Sequence, residues 1–219
     1  MSDFIIHTIP GSPFARAVLA TLEEKGAPWR IAPVKPGMNR QPAHLSMHPF
    51  GRVPVLQHGD FFLYETQAIL RYLDRILAQA PLTPADAREA ARMDQVMNIS
   101  DWYVFLGGGA VIAFQRIIGP LFLGAQTDEA AIAEALPKAQ LAFDELDHLL
   151  ADRTYFAGEQ LTLADLAVAP QIDFLAQTPE WATLTAKHSN LIAWYKRMIE
   201  RPSLRDTATN RLMERLGAA

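Results

Sequence analysis

Pro49-Phe50-Gly51-Arg52-Val53-Pro54-Val55-Leu56, followed by Leu63-Tyr64-Glu65-Thr66-Gln67-Ala68-Ile69, decides how the first third of this 219-residue chain folds. Gly51-Arg52 reads as a turn and Val53-Pro54 as the entry to a strand, because proline cannot donate to a sheet ladder and is confined to strand starts and edges. Val55 to Gln57 then forms one strand, His58-Gly59-Asp60 the turn, and Phe61 to Tyr64 the return strand of a hairpin. A helix follows from Glu65 to about Gln79. A strand edge opened by Pro54 leaves the N–H and C=O of Val53 able to pair with an extended, peptide-like ligand. An ordinary edge strand is the plainer alternative. Glu65 and Thr66 open a helix, where capping alone accounts for an acid and a hydroxyl. The same pair suits an amino-acid head group, with free N–H groups and Thr66 for a carboxylate and Glu65 for an ammonium.

Upstream, Phe4 to Ile9 reads as a strand stopped by Pro10-Gly11, and Ser12-Pro13 opens a helix to about Lys25-Gly26, with Ser as N-cap and Pro at the first helical position. Trp29 to Val34 is a second strand. Strand–helix–strand, then hairpin and helix, is the thioredoxin-like order, an α/β domain expected over residues 1–80. Pro81, Thr83 and Pro84 mark a linker. Beyond it the pattern is helical over 85–106, 110–123, 128–151, 162–177, 188–201 and 203–216, giving an all-α domain over 86–219.

In thioredoxin-like folds the strand-to-helix turn carries the reactive group, because the helix N-terminus offers N–H groups and a positive dipole end. Here that turn holds Ser12, which as an isolated residue is more simply a cap. The chain has no cysteine, which removes disulfides, thiolate metal sites and a protein-thiol nucleophile together. Any thiol chemistry must use a sulfur that arrives with a ligand. A thiol of pKa ~8.5 is only ~3% ionised at pH 7, and half-ionising it needs ~2 kcal/mol. One hydrogen bond to a charged acceptor supplies ~1.5–3 kcal/mol, so a hydroxyl donor at a helix start suffices.

A net charge of −4 without basic runs argues against nucleic acid as a partner. Ser2-Asp3 breaks up the start of the chain, and the apolar stretch from Val104 to Ala125 contains Gln115, Arg116, three consecutive glycines and Pro120, so it is read as a core helix rather than a membrane span. A soluble, cytoplasmic chain is expected.

Thr162-Leu163-Ala164-Asp165 has capping-box spacing, with Leu161 and Leu166 placed as a hydrophobic staple, and is read as structural. His44 and His48, four apart, lack an acidic or thiolate companion and are read as surface or helix-end residues, not metal ligands. Gly107-Gly108-Gly109 lacks the setting of a phosphate loop and is read as a helix break or kink. Trp102, Tyr103, Phe105 and Phe114 around it read more simply as core, with a pocket lining as the alternative.

Three segments in order, Pro49 to Pro54, Leu63 to Ile69, and Tyr155-Phe156-Ala157-Gly158 with Leu161 to Asp165, resemble the soluble glutathione transferases over nearly the whole chain. The resemblance points to the serine-type, phi-like branch and its bacterial relatives. It implies Ser12 as the thiol-activating catalytic residue, Asn39 and Arg40 at the glycyl carboxylate, Val53 at the cysteinyl backbone, and Glu65 and Thr66 at the γ-glutamyl end, with Arg52 also among the glutathione-binding residues. Glutathione would be a cosubstrate, with no tightly bound cofactor and no metal. Phe14, Met38, Tyr103, Phe105 and Phe114 would meet a small hydrophobic electrophile, and the role would be detoxification. A cis peptide bond before Pro54 and a homodimer follow from the resemblance, with Gln67, Arg71 and Asp74 facing the partner. The sequence departs from the phi pattern at Asn39-Arg40, Arg52 and Thr66, where that pattern has His-Lys, Gln and Ser. Ser12-Pro13-Phe14 also looks like the Cys-Pro-Phe turn of the omega class with Ser for Cys. Glutathione-dependent isomerase, dehalogenase or hydroperoxide reductase chemistry stays open, as does a non-catalytic binding role.

Overall fold

A computed structural model describes residues 4–79 and 81–217. The chain divides into two compact units, one running through Leu82 and taking up the residues from Glu200 on, the other Thr83–Ile199. The first unit begins β1 (Phe4–Thr8), α1 (Pro13–Glu24), β2 (Trp29–Pro33), a 3₁₀ turn (Met38–Arg40) and α2 (Pro42–Leu45). It continues with β3 (Val55–His58), β4 (Phe61–Tyr64) and α3 (Thr66–Ile76). The sheet order is β2-β1-β3-β4, with β1 and β2 parallel and the other two pairings antiparallel. This is the thioredoxin-like arrangement expected. Gly59 takes the first position of the two-residue hairpin loop at φ +65°, a conformation L side chains rarely adopt.

Val18, Leu19 and Leu22 of α1 and Ile69, Leu70 and Leu73 of α3, two helices that pack together, are fully buried, as are Ile6 of β1 and Val55 and Leu56 of β3. Each such side chain contributes ~1.5–3 kcal/mol by leaving water. The C-terminal residues are tied to this unit by polar contacts. Arg201 grips the Glu24 carboxylate with Nε and one NH₂ group, both at 3.0 Å, and Ser203 donates to the same carboxylate. Arg16 donates to the Leu204 carbonyl at 2.9 Å, and Arg215 lies over the Trp29 ring. The single helix expected over 203–216 is two, Pro202–Arg205 and Thr209–Gly217, with Pro202 opening the first at N1.

The α3 helix also ends earlier than expected, at Ile76, where Leu77 turns extended. Asp74, near its end, is committed inside its own chain: it pairs with the fully buried Lys25 at 2.6 Å and accepts from the Leu82 N–H. That removes Asp74 from the partner-facing set expected from the sequence.

The second unit is helical. Its longest helix runs Ala87–Leu123 without interruption, widening to π-type turns over Ser100–Gly109 and Phe114–Leu123. Of the break or kink expected at the three glycines, the break is absent: they close the first stretch of π-type turns. Gly108 instead lets two helices touch: a Cβ there would lie 2.6 Å from the Ala135 carbonyl oxygen and 2.9 Å from the Ala139 nitrogen of the Glu129–Leu150 helix. By length and composition alone the Ala87–Leu123 helix could cross a membrane. Val104, Gly108, Gly109, Ile112 and Ala113 on it are nonetheless buried. The aromatics are not core: Trp102 and Tyr103 are each 62% exposed and Phe114 40%, while Phe105 is half-buried.

The helix Leu163–Leu175 starts in the expected capping box. Asp165, fully buried, accepts from the Thr162 N–H and hydroxyl, the Phe156 N–H and the Trp194 indole N–H. Burial outweighs these donors and pushes its carboxyl pKa up. Trp181–Thr185, a five-residue helix, and Ser189–Ile199 complete the unit.

Candidate functional site

One row across the sheet organises the site. His7 of β1 lies opposite Val55 of β3, and Val55 opposite Tyr64 of β4. The C-terminal end of β1, the N-terminal end of β3 and the C-terminal end of β4 therefore share one edge. Ser12 follows β1, Val53 precedes β3, and Glu65 and Thr66 follow β4. Four residues that the sequence assigned to one ligand thus lie at one end of the sheet.

Ser12 caps α1. Its φ/ψ of −65°/120° is extended, and its Oγ accepts from the Ala15 N–H at 3.3 Å. A hydroxyl that accepts keeps its own proton to donate, so capping and donation to a ligand sulfur are compatible. Gly11, at φ +95°, allows the turn before it.

The Val53-Pro54 peptide is cis, as expected. Val53 is half-buried, and among the described residues its backbone N–H and C=O take no hydrogen-bond partner. The three residues before it are held by their carbonyls. Arg40 donates to Phe50 O at 3.3 Å, Asn39 Nδ2 to Gly51 O at 2.7 Å, and His44 Nε2 lies 2.7 Å from Arg52 O. Gly51 is required there, since at φ +60° a Cβ would come 2.8 Å from the Asn39 carbonyl oxygen. Asn39 is therefore engaged with the turn, whereas Arg40 is exposed and has further guanidinium N–H groups for an anion. Arg52 is also exposed.

Glu65 adopts φ 69°, ψ 111°, one of two non-glycine residues at positive φ among those described. Such backbone costs ~1–3 kcal/mol and gathers at ligand sites. It turns the chain so that Glu65 stays exposed while Thr66, the first residue of α3, is buried. Phe14, two residues after Ser12, is half-buried, and Met38, next to Asn39, is 51% exposed.

His44 sits at a helix end, as one of the two readings had it, but neither histidine is on the surface: His44 and His48 are 4% and 2% exposed. The His48 ring stacks on Tyr64 with centroids 4.6 Å apart and on His44 at 6.4 Å. Burial lowers the pKa of His48, the Glu65 carboxylate opposes this, and His44 and Arg52 reinforce it. The helical turn that carries His44, Pro42–Leu45, is too short to show a periodicity, so the burial of both rings had no signal in the sequence. No metal-binding cluster of His, Asp and Glu occurs among the described residues.

Known proteins share both halves of this arrangement. Residues 11–76 match the family described as glutathione S-transferase, N-terminal domain, and residues 110–202 match glutathione S-transferase, C-terminal domain. "Probable glutathione S-transferase GSTF2" of Oryza sativa subsp. japonica is 33% identical over 193 residues, 87% of this chain and 89% of that protein. Glutathione transferase F7 from Populus trichocarpa superposes with TM-score 0.85 at 26% identity, covering 95% of this chain and 99% of that one. Glutathione S-transferase I from maize, solved in complex with an atrazine glutathione conjugate, gives 0.84 at 30% identity over 97% of this chain and 99% of that one. With this degree of identity over both domains, the chain belongs to the glutathione S-transferase family.

Proposed function

We propose that this glutathione transferase binds reduced glutathione along the sheet edge and joins its sulfur to a hydrophobic electrophile through Ser12. The observation that carries the reading is the free Val53 backbone on the edge shared by Ser12, Glu65 and Thr66. Val53 pairs with the cysteinyl residue of the tripeptide, Glu65 takes its ammonium, Thr66 the neighbouring carboxylate, and Arg40 the glycyl carboxylate. The Arg40 guanidinium keeps the charge logic of a lysine and adds a bidentate fork. Arg52 adds positive charge beside the same anion.

The Ser12 hydroxyl donates to the sulfur and, with the α1 dipole, favours the thiolate. The thiol proton leaves to solvent. The thiolate then attacks an electrophilic carbon, forming a C–S bond as the leaving group departs or an epoxide opens. Phe14 and Met38, in the same unit as Ser12, supply apolar surface for the acceptor. Such surfaces discriminate weakly, which suits a broad detoxifying role. A cytoplasmic location fits a cosubstrate that must stay reduced. A twofold dimer fits the three consecutive exposed side chains Leu121, Phe122 and Leu123, an apolar run that a monomer rarely leaves to water. Sedimentation at twice 24.3 kDa supports the dimer, and a 24.3 kDa species at micromolar concentration removes it.

Incubation with glutathione and a panel of aryl halides, epoxides and hydroperoxides, read by product mass, tests the activity. Thioether adducts support conjugation. Glutathione disulfide alone would move the assignment to peroxide reduction, and no turnover to a binding protein.

A further inference from the structure

The first unit contains a side-chain clamp whose third member nothing above assigns to the ligand. Three consecutive carbonyls, those of Phe50, Gly51 and Arg52, are each taken by a side chain from the short segment Asn39 to His44. The next backbone group, Val53, is left without a partner among the described residues. The first two donors, Arg40 and Asn39, lie at the turn surface. The third is enclosed.

The chemistry of that third bond is fixed by its acceptor. A carbonyl oxygen only accepts, so His44 Nε2, 2.7 Å from Arg52 O, must carry the proton. Nδ1 of the neutral ring is then a bare acceptor, and it is buried without a hydrogen-bond partner. The ring keeps this one polar contact while 96% enclosed, stacked against His48, which in turn stacks on Tyr64 at the end of β4. The backbone carries the same segment on without slack: His48 N–H donates to His44 O, and Gly51 N–H to His48 O, both at 2.9 Å. The two rings in series therefore link β4 to the residue immediately before Val53, His48 meeting Tyr64 and His44 meeting Arg52.

We propose that His44 is a positioning residue for the tripeptide: its Nε2–H holds the Arg52 carbonyl so that the Val53 backbone faces the ligand rather than turning back into the loop. The inference rests on the glutathione reading above. It assigns to His44 an effect on cosubstrate binding alone, because Val53 binds the ligand's backbone equally before and after the sulfur reacts, and uniform binding of that kind appears in KM and not in kcat.

The test uses the full-length protein and reduced glutathione. Two amide replacements differ by one methylene: in His44→Gln the amide nitrogen reaches the position of Nε2, and in His44→Asn it stops short. H44Q is expected to keep the glutathione KM within about threefold of wild type, and H44N to raise it about tenfold. In both, kcat at saturating glutathione and the titration midpoint of the bound thiol should stay at wild-type values. If H44N yields no folded protein, H44M, of similar length and without a donor, takes its place in the comparison. An unchanged KM in the short or donorless variant overturns the inference, as does a KM rise in H44Q equal to that in H44N. A shifted thiol titration also overturns it, since His44 would then act through Ser12. Wild-type protein that binds no glutathione by calorimetry would overturn the transferase reading and this inference with it. Wild-type binding with an unaffected H44N overturns the inference alone.

Discussion

Replacing Asp165 by alanine should destabilise the protein more than any single change at the sheet edge. Its carboxylate receives four donors at 2.8–3.1 Å, from Thr162 N, Thr162 Oγ1, Phe156 N and Trp194 Nε1, and Thr162, Phe156 and Trp194 are themselves buried. The hydroxyl can rotate to another acceptor, but the three N–H groups cannot. A buried donor left without a partner costs ~1–3 kcal/mol, so three set a floor near ~3 kcal/mol. The desolvation that raises the Asp165 pKa works the other way, because deleting a buried charge recovers part of its penalty. The net expectation is ~3–5 kcal/mol, which for a chain of this size lowers Tm by ~6–20 °C. Thr162→Ala removes one cap and should lower stability by ~1 kcal/mol, or ~2–4 °C. Thermal melts followed by circular dichroism, with the glutathione KM measured below the transition, check both. An Asp165→Ala variant melting within ~2 °C of wild type would refute the reasoning, because the four bonds would then carry no net stability. The KM should not move while the variant remains folded.

Gly108→Ala should destabilise by ~1–3 kcal/mol, since its Cβ meets backbone atoms of the facing helix at 2.6 and 2.9 Å, and better helix propensity offsets only ~1 kcal/mol. Gly107→Ala, whose Cβ would meet nothing closer than 3.5 Å, should be neutral or stabilising; equal melting temperatures for the two variants would contradict the close-packing account. His48 has a folded-state pKa below its ordinary 6.5, so the unfolded chain binds more protons. Its contribution is present above pH 6.5 and is lost as pH falls through the lower folded value. Denaturant titrations between pH 5 and 7.5 should show that decline shallower in His48→Asn than in wild type, and parallel pH profiles would count against the shift.

The elements that were legible in the sequence are those carried by local chemistry. Ser12-Pro13 announces a helix, Thr162 with Asp165 announces another, and Val53-Pro54 with Gly59 sets out the hairpin and its edge. What stayed hidden depends on groups far apart in the chain. The role of Gly108 is set by Ala135 and Ala139, 27 and 31 residues away, and appears in sequence only as a helix breaker. Asp74 is defined by Lys25, and Asn39 by Gly51, pairings that no periodicity reveals. The burial of His44 and His48 was not legible because the helical turn that carries His44 is four residues long, too short to display a buried face, and His48 lies beyond it. The aromatics near residue 105 looked like core because apolar composition does not say which side of a helix is covered. Ser12, Val53, Glu65 and Thr66 could be placed at one end of the sheet from the sequence because each lies at or just before the start of an element.

The central claim is that the Ser12 hydroxyl stabilises the thiolate of bound glutathione. Ultraviolet absorbance of the thiolate, followed against pH in the enzyme–glutathione complex, tests it without reference to any electrophile. Wild type should titrate ~1–2 pH units below the free thiol, whose pKa is ~8.5, while Ser12→Ala should move most of the way back with glutathione affinity retained. Turnover near neutral pH should fall ~10–100-fold in that variant and recover in part as pH rises. Coincident titrations of wild type and Ser12→Ala near the free-thiol value would contradict the account and leave Ser12 as a helix cap.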